Sequence, residues 1–350
     1  MAPTQNKSLI YKAVPETFPE AGKHLTVEDR PLDLEAAELN GGVLVKVLYT
    51  SFDPYLRGRM RDPAIKSYSP PLTPGEPLQS AIAGKVVRSD TPEFQPGDTV
   101  AAFYGNNAEY TIIPGPYIPH VGLRKVDTSN GLPLSYYVGY LGMPGTTAFE
   151  GLYEIGVPKK GETIFVSSAA GAVGQLVGQL AKAEGLTVIG SVGSNEKAEY
   201  VKSLGFDAVF NYKEEKPLDA LRRLAPNGVD IYWDNVGGDT LEAALEVMNN
   251  NGRIIACGAI SGYNSKAEDR HGIKNTFYIV TKRLRVQGFI VDLSPPKYKA
   301  ALDKLVPLFV EGKIQGKEDI SDGIEKGPEG LVGIFKGLNF GKAILKIAEA

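Results

Sequence analysis

The C-terminal half of the chain alternates short apolar runs with helix-length segments. From Gly161 onward the apolar runs are 163–166, 187–190, 208–210, 229–233 and 253–256. Runs of this length that are almost wholly apolar are typical of strands buried on both faces, and helical connections between them favour parallel pairing. This pattern predicts an α/β fold with a doubly wound parallel sheet covered by helices on both faces.

The N-terminal part has a different rhythm. Up to about residue 125 it is rich in Pro and Gly, and its apolar runs, such as 43–48 and 80–87, are short and end at turn residues such as those at 96–98. These features predict a compact β-rich domain without a long helix. A helix predicted at 328–336 and a closing strand at 342–347 are expected to return to this domain.

The two patterns together predict two domains. The β-rich domain is expected to comprise residues 1–129 and 317–350, and the parallel-sheet domain residues 130–316. With 350 residues, of which 43% are hydrophobic and 23% charged, the chain is long enough to bury a core in each.

The charge balance disfavours polyanionic partners. The formal net charge is −3 and the pI is about 5.8, so no excess of basic residues could follow a nucleic-acid backbone or an anionic membrane. The sequence contains no apolar run of about 18 residues, and its start lacks the charged-then-apolar order of a secretion signal. We therefore expect neither a nucleic-acid nor a membrane partner, and a cytoplasmic protein.

Metal ligands are scarce in this sequence. Cys257 is the only cysteine, which excludes an internal disulfide, and the histidines are His24, His120 and His271. Because zinc sites are built mainly from Cys and His, we expect no metal site.

A glycine-containing turn follows the first predicted strand of the parallel sheet. Residues 163–166 lead into Ser-Ser-Ala-Ala-Gly-Ala-Val-Gly at 167–174 and then into a predicted helix. This is an A-x-G-x-x-G variant of the dinucleotide fingerprint in its strand-turn-helix context. Gly171 would allow a pyrophosphate to approach the backbone, Gly174 would allow the helix to lie close to the sheet, and the helix N-terminus, with Ala172 and Val173, would face the phosphates. A simple tight turn is the alternative, but the surrounding βα repeats favour the nucleotide site.

The tip of the second strand of this sheet bears on the choice of cofactor. NAD sites usually carry Asp or Glu there, about 20 residues after the glycines. Here the tip is the small and neutral 191–195, and Lys197 follows in the next turn. Such a tip accommodates a 2′-phosphate and favours NADPH. The alternative is that Lys197 is an ordinary solvated helix residue, and the neighbouring Glu196 weakens the assignment.

Several motifs in series resemble one family. From about residue 40 to the C-terminus the chain resembles the zinc-free medium-chain reductases, in particular the group of prostaglandin reductases and plant alkenal double-bond reductases. The resemblance implies a GroES-like catalytic domain, a Rossmann domain that binds NADPH, and a cofactor in the cleft between them. The motifs that carry it are at 53–57, 142–148, 169–174, 205–207, 211–213, 234–238 and 257–264.

The resemblance also implies roles for individual residues. Lys197 and Tyr212 are expected at the 2′-phosphate, and Asn235 with the segment 257–263 along the cofactor. Further cofactor contacts are implied near the carboxamide, at the nicotinamide end and on the segment 142–148. The residues concerned are Cys257, Gly258, Ala259, Ile260, Ser261, Tyr263, Phe289, Ile290, Val291, Asn339, Met143 and Thr147.

Zinc-dependent relatives would need a cysteine before Asp53 and a Gly-His-Glu unit soon after it. This chain has Phe52 and the sequence Pro-Gly-Glu-Pro at 74–77. Alcohol oxidation that relies on a metal to acidify the hydroxyl therefore loses its chemical basis.

Hydride addition to an activated alkene needs no metal, because the charge spreads to a carbonyl oxygen that requires only a hydrogen bond. We expect NADPH-dependent reduction of the C=C bond of α,β-unsaturated ketones or aldehydes. Tyr263 or a ribose hydroxyl would hold the enolate oxygen, and Tyr55 or water would protonate the α-carbon. Tyr55, Tyr68, Tyr263 and Phe289 are the expected substrate contacts, with Met143 lining the same apolar pocket.

Two features of the predicted domains remain open. The loop 61–74 either sets substrate size or is a Pro-rich surface crossing. The apolar run 284–290 predicts an edge strand, which favours a homodimer.

Two other functions fit parts of the pattern. A quinone reductase would share the fold and cofactor but would not need Tyr55 and Tyr263. A non-catalytic NADPH-binding sensor would need only the phosphate-binding end of the site. A hydrolase is disfavoured because no Gly-x-Ser-x-Gly elbow is present.

Overall fold

The computed structural model describes residues 3–349. In chain order its strands are β1 (Lys7–Tyr11), β2 (Leu25–Asp29), β3 (Val43–Ser51), β4 (Gln79–Ser89), β5 (Thr99–Asn106), β6 (Tyr110–Ile113), β7 (Arg124–Lys125), β8 (Thr163–Val166), β9 (Thr187–Val192), β10 (Ala208–Asn211), β11 (Val229–Asp234), β12 (Met248–Ala256), β13 (Arg285–Gly288), β14 (Glu318–Asp322) and β15 (Lys342–Lys346). Its α-helices are α1 (Tyr55–Arg59), α2 (Ile118–Val121), α3 (Met143–Glu150), α4 (Ala172–Ala183), α5 (Asn195–Ser203), α6 (Pro217–Leu224), α7 (Gly238–Val247), α8 (Phe277–Thr281), α9 (Pro295–Val310) and α10 (Gly327–Phe335).

The chain forms two compact units. The first comprises the described residues of Met1–Gly142 and Glu318–Ala350, and the second comprises Met143–Lys317. We expected the boundaries at 129/130 and 316/317, so residues 130–142 and Lys317 lie in the unit opposite to the one expected.

Hydrogen bonds explain where these segments lie. In the first unit, the hydroxyl of Ser135 donates to the carboxylate of Glu318 at 2.7 Å, and the hydroxyl of Tyr137 donates to the carbonyl of Asp127. In the second unit, the backbone N–H of Lys317 donates to the side chain of Gln175 at 3.1 Å.

The first unit is built on a β-sheet. Its seven strands run in the order β14-β15-β3-β4-β5-β7, with β6 also paired to β3, and β1 and β2 form a separate antiparallel pair. The closing strand β15 lies antiparallel to β3, where Ile344 opposes Ser51. The predicted return of the C-terminal segment to this domain is confirmed, and α10 corresponds to the predicted helix.

The second unit contains a six-stranded sheet in the order β10-β9-β8-β11-β12-β13, and all of its strands are parallel. Phe165 and Tyr232 stack at 4.9 Å between ring centroids, in a core that includes residues of α6 and α7. Ile164 and Val166 are also fully buried, and neighbouring residues of a strand point to opposite faces. Both faces of this sheet are therefore covered, as the apolar runs predict.

A membrane-spanning helix is not found among residues 3–349: none of the helices there is both long and apolar enough.

Candidate active site

The turn between β8 and α4 is shaped to bring a helix N-terminus to the carboxyl edge of the sheet. Ser168 adopts a φ of 53°, and Gly171 precedes the helix in an extended conformation. Gly171 supplies no side-chain acceptor for the first-turn N–H groups, and it keeps some solvent exposure together with Ala172 and Val173. The helix start thus carries N–H groups and a positive dipole end suited to an anion.

Gly174 allows this helix to lie against the turn. A Cβ atom at this position would lie 2.4 Å from the carbonyl oxygen of Ser168 and 2.9 Å from the Cα of Ala169. Both neighbours are backbone atoms, so neither can move away as the end of a flexible side chain can. Only glycine fits here without shifting the helix.

The tip of β9 gathers the residues expected at a 2′-phosphate. The hydroxyl of Ser194 caps α5 by accepting a hydrogen bond from the N–H of Lys197 at 3.3 Å, which places the half-buried Lys197 in the first turn of the helix. The hydroxyl of Tyr212 would lie 3.0 Å from a Cβ at Gly193, and Tyr212 is 48% exposed. A cation and a phenol thus flank a small, uncharged tip.

A buried hydrogen-bond network fixes the adjacent ends of β8 and β11. Tyr232 donates to Asp234 Oδ1 at 2.7 Å, and the same oxygen accepts the N–H groups of Val236 at 2.9 Å and Gly237 at 2.7 Å. Burial raises the pKa of Asp234 despite these donors. The Ser167 hydroxyl is also hydrogen-bonded to that of Tyr232, at 3.2 Å, so the two strand ends are held in register.

The side chain of Asn235 is hydrogen-bonded at the same ends of β8 and β11. Its amide donates to the carbonyl of Ser167 at 2.7 Å, and its oxygen accepts from the indole of Trp233 at 3.0 Å. Asn235 therefore acts on the site by fixing the strand ends, while the residue keeps partial exposure.

The segment 257–263 is bonded to the residues that follow β11. The N–H groups of Cys257 and Gly258 both donate to the carbonyl of Asp234 at 3.0 Å. The N–H of Ile260 donates to Asn235, and both the N–H and the hydroxyl of Ser261 donate to Val236. The segment forms a ledge along the carboxyl edge of the sheet.

The thiol of Cys257 is not a reactive group. Burial, and then the charge of Asp234, raise its pKa to about 12, although a hydrogen bond with Trp233 opposes the shift. The thiol therefore stays protonated and acts as a small lining side chain.

Tyr263 folds back over its own segment. Its hydroxyl accepts the N–H of Ala259 at 3.3 Å and would lie 3.1 Å from a Cβ at Gly258. A side chain at residue 258 would displace the phenol, so the glycine leaves room for it.

Phe289 joins the same part of the second unit through an aromatic contact. Its ring meets that of Trp233 edge-on, with the centroids 6.2 Å apart. Ile290 is 62% exposed, and Val291 is half-buried. Met143 and Thr147 lie on the first turns of α3, where the Thr147 hydroxyl donates to the carbonyl of Met143 at 2.8 Å.

Tyr55 begins α1 in the first unit. It is half-buried, and Asp53, Tyr104 and Arg59 affect the pKa of its hydroxyl. Burial, followed by the charges of Asp53 and Tyr104, raises its pKa well above the ordinary value of 10. The phenol is therefore a neutral hydrogen-bond donor at any ordinary pH.

The loop 61–74 is held by two arginines. Arg61 donates to the carbonyls of Gly58, Ile65 and Ser69, and Arg59 donates to those of Pro70 and Gln79. Tyr68, at 61% exposure, lies on this loop. In the same unit, the Asn339 amide donates to the carbonyl of Gly341 at 2.7 Å.

Some residues that shape the site received no role from the sequence. Ser167 lies in the turn 167–174 and Tyr232 in the apolar run 229–233, but only contacts between distant segments show what these two residues and Arg59 do. Lys342 looks like a solvated residue at the start of an apolar strand, but its side chain is 1% exposed. No sequence signal identifies it.

In the part of the chain that the structure describes, no cluster of three or more His, Cys, Asp or Glu side chains could hold a metal ion.

Two family models match the chain. One described as the N-terminal domain of oxidoreductase matches residues 7–121, and one described as zinc-binding dehydrogenase matches residues 172–306.

Curated relatives match over almost the whole length. An NADP-dependent oxidoreductase, RED1, of Cochliobolus heterostrophus is 47% identical over 99% of this chain and 98% of its own. A 2-alkenal reductase (NADP(+)-dependent) of Nicotiana tabacum is 44% identical over 98% of both chains.

A solved structure, CurA of Vibrio vulnificus in complex with NADPH, superposes with a TM-score of 0.87 at 31% identity and covers 98% of this chain and 100% of its own. The chain belongs to the medium-chain dehydrogenase/reductase family, in its group of prostaglandin reductases and alkenal double-bond reductases.

Proposed function

We propose that this protein is an NADPH-dependent oxidoreductase that reduces the C=C bond of α,β-unsaturated ketones and aldehydes. The observation that carries the proposal is the 44% identity, over nearly the full length of both chains, to a 2-alkenal reductase. The site residues described above supply the phosphate cradle and the phenol donors that this chemistry needs.

The residues present fit a dinucleotide with a 2′-phosphate. A Cβ at Gly174 would occupy the close contact between α4 and its turn, so the turn keeps the shape of a pyrophosphate cradle. Gly171, Ala172, Val173 and Gly174 would hold the pyrophosphate, and Lys197 with Tyr212 the 2′-phosphate.

The other residues expected to bind the cofactor would contact the rest of the dinucleotide. Asn235 and the ledge 257–263 would lie along it, and the nicotinamide end would meet Phe289, Ile290, Val291, Asn339, Met143 and Thr147. When bound, NADPH supplies the hydride that adds to the β-carbon of the substrate.

Two tyrosines act on the substrate in this proposal. Tyr263 or a ribose hydroxyl donates a hydrogen bond to the carbonyl oxygen, where negative charge develops. The Tyr263 phenol lies over the ledge 257–263, where its oxygen accepts the N–H of Ala259 at 3.3 Å. Tyr55 or water then delivers a proton to the α-carbon.

The substrate class follows from the side chains. In this proposal Tyr55, Tyr68, Tyr263 and Phe289 would contact the substrate; the tyrosines have apolar rings with a polar hydroxyl and Phe289 has an apolar ring, which suits a small hydrophobic enone or enal. Zinc has no role in this proposal, because the hydrogen bond to the carbonyl oxygen replaces a Lewis acid.

We also propose that the protein is a cytoplasmic homodimer. β13 is the edge strand of the six-stranded sheet, and each of its residues is exposed. An exposed edge with a valine at 286 can pair with a second copy. Sedimentation of the purified protein measures the mass, and a monomer at all concentrations would refute the dimer.

The direct test is product analysis. The purified protein is incubated with NADPH and an open-chain alkenone, absorbance loss is followed, and the product is identified by mass and retention time. A saturated ketone, formed faster with NADPH than with NADH and unaffected by a chelator, is the expected result.

Each other outcome replaces the proposal with a different function. An allylic alcohol would indicate carbonyl reduction, and turnover of quinones alone would indicate a quinone reductase. Binding of NADPH without any turnover would indicate the sensor.

A further inference from the structure

A charged pair lies in the interior of the first unit. The ammonium of Lys342 is 2.8 Å from Asp53 Oδ1, and the two side chains are 1% and 7% exposed. Lys342 also donates to the carbonyl of Phe52 at 2.8 Å, and the hydroxyl of Ser51 donates to Asp53 Oδ2. The carboxylate is thus held on both oxygens, and the ammonium on two acceptors.

The strand that carries Lys342 is fixed beside this pair. β15 is paired to β3, and the N–H of Phe52 donates to the carbonyl of Ala343 at 3.2 Å. A Cβ at Gly139 would lie 3.1 Å from the Cγ of Lys342, so the aliphatic part of the Lys342 side chain packs closely against the backbone of Gly139. The ammonium therefore has little freedom to move away from Asp53.

The pair stands at the start of the helix that carries Tyr55. The carbonyl of Asp53 accepts the N–H of Leu56 at 3.1 Å, so the backbone of Asp53 forms the turn that leads into α1. Tyr55 is two residues further on, and the Asp53 carboxylate is close enough to its phenol to affect its ionisation.

Other ionisable groups bear on these residues. Arg59 and Tyr104 affect the pKa of Tyr55, and Lys342 affects the pKa of Glu318. A buried carboxylate that loses its cation must find another donor or take up a proton. An unpaired Asp53 would therefore disturb the start of α1, where Tyr55 lies.

We propose that Lys342 is a positioning residue for Tyr55. By neutralising Asp53 and tying it to the backbone at residue 52, it fixes the start of α1 and with it the position of Tyr55, two residues further on. The kinetic part of this inference rests on the proposed function. Stability alone does not demand such a pair, because apolar residues of similar volume commonly replace a buried ion pair without loss.

The kinetic test is a double-mutant cycle between Lys342 and Tyr55. Lys342→Met is expected to lower kcat for the alkenone about ten- to a hundredfold, as a misplaced catalytic group does, with the KM for NADPH unchanged. In a Tyr55→Phe background the same substitution is expected to change kcat less than about twofold, because the residue it positions is already disabled. Lys346→Met, on the same strand, is the control and should leave kcat unchanged.

A second variant tests whether the loss of kcat comes from unfolding of the protein. Asp53→Asn combined with Lys342→Met removes both charges and leaves no unpaired ion, and circular dichroism and thermal melting report whether it folds. This variant is also expected to lose kcat. A wild-type kcat in this double variant would overturn the inference. So would an equal loss of kcat from Lys342→Met with and without Tyr55→Phe, or an unchanged kcat in Tyr55→Phe alone.

A spectroscopic readout separates this inference from the proposed function. In protein labelled with ¹³C at the tyrosine ζ carbon, the Tyr55 resonance is identified by its absence from Tyr55→Phe. Its chemical shift is expected to change in the folded Asp53→Asn/Lys342→Met variant and to stay the same in Lys346→Met. If wild type reduces no enone, the proposed function fails while this shift still decides the positioning role, and an unmoved resonance would overturn it.

Discussion

The phenol oxygen of Tyr263 lies 3.3 Å from the backbone nitrogen of Ala259 and accepts its hydrogen bond. The tyrosine thereby closes the ledge 257–263 on itself, while the other end of that ledge is bonded to Asp234. The same phenol is a proposed donor to the substrate, so in this proposal it would have both a structural and a chemical task.

The structural task predicts the effect of Tyr263→Phe on cofactor binding. Loss of one hydrogen bond, worth about 1 kcal/mol, should loosen the ledge and raise the Kd for NADPH about fivefold. Fluorescence titration of NADPH measures the change, and Tyr278→Phe on α8 is the matched control. An unchanged Kd in Tyr263→Phe would show that the ledge does not depend on the hydroxyl.

Gly174 provides a test of the cradle. Gly174→Ala should weaken NADPH binding at least about tenfold, because its Cβ would lie 2.4 Å from the Ser168 carbonyl oxygen and the start of α4 would have to shift. Gly272→Ala is the control, since a Cβ there would meet nothing within 4 Å. Calorimetric titration gives both Kd values. Equal affinities would remove the turn from the binding site.

Lys197 is predicted to select the phosphorylated cofactor. Lys197→Met should raise the KM for NADPH about 10- to 100-fold, the effect of losing a hydrogen bond to a charged group, and leave the KM for NADH nearly unchanged. Lys202→Met, on the same helix, should alter neither. If Lys197→Met weakens NADH and NADPH equally, the residue does not recognise the 2′-phosphate.

The ionisation of Tyr55 predicts a pH profile. Its pKa is raised well above 10, chiefly by burial, so the hydroxyl keeps its proton throughout the usual assay range. From about pH 6 to about pH 9, kcat should therefore show no fall caused by loss of the Tyr55 proton. Rates with saturating NADPH and alkenone measure it. A descending limb in wild type that disappears in Tyr55→Phe would contradict the assignment.

The architecture was largely predictable because its signals are local. The buried parallel strands form short runs that are almost wholly apolar, and the turn at 167–174 lies directly between a strand and a helix. The return of the C-terminal strand to the β-rich domain was also predicted, but its partner strand β3 was not.

The boundary between the units and the interior charges were not predictable in the same way. Residues 130–142 join the first unit through bonds such as that from Ser135 to Glu318, which are distant in sequence. Lys342 and Asp53 are likewise separated by most of the chain. The sequence does not distinguish a buried lysine from a solvated one, because the difference depends on the residue that the folded chain brings next to it.

The position of a transferred label tests the central claim most directly. Wild-type protein is incubated with an alkenone and with NADPH that is doubly deuterated at the nicotinamide carbon that gives up hydride, and the product is examined by NMR. The account predicts a saturated ketone with deuterium on the carbon β to the carbonyl. Deuterium on the former carbonyl carbon of an allylic alcohol would contradict it.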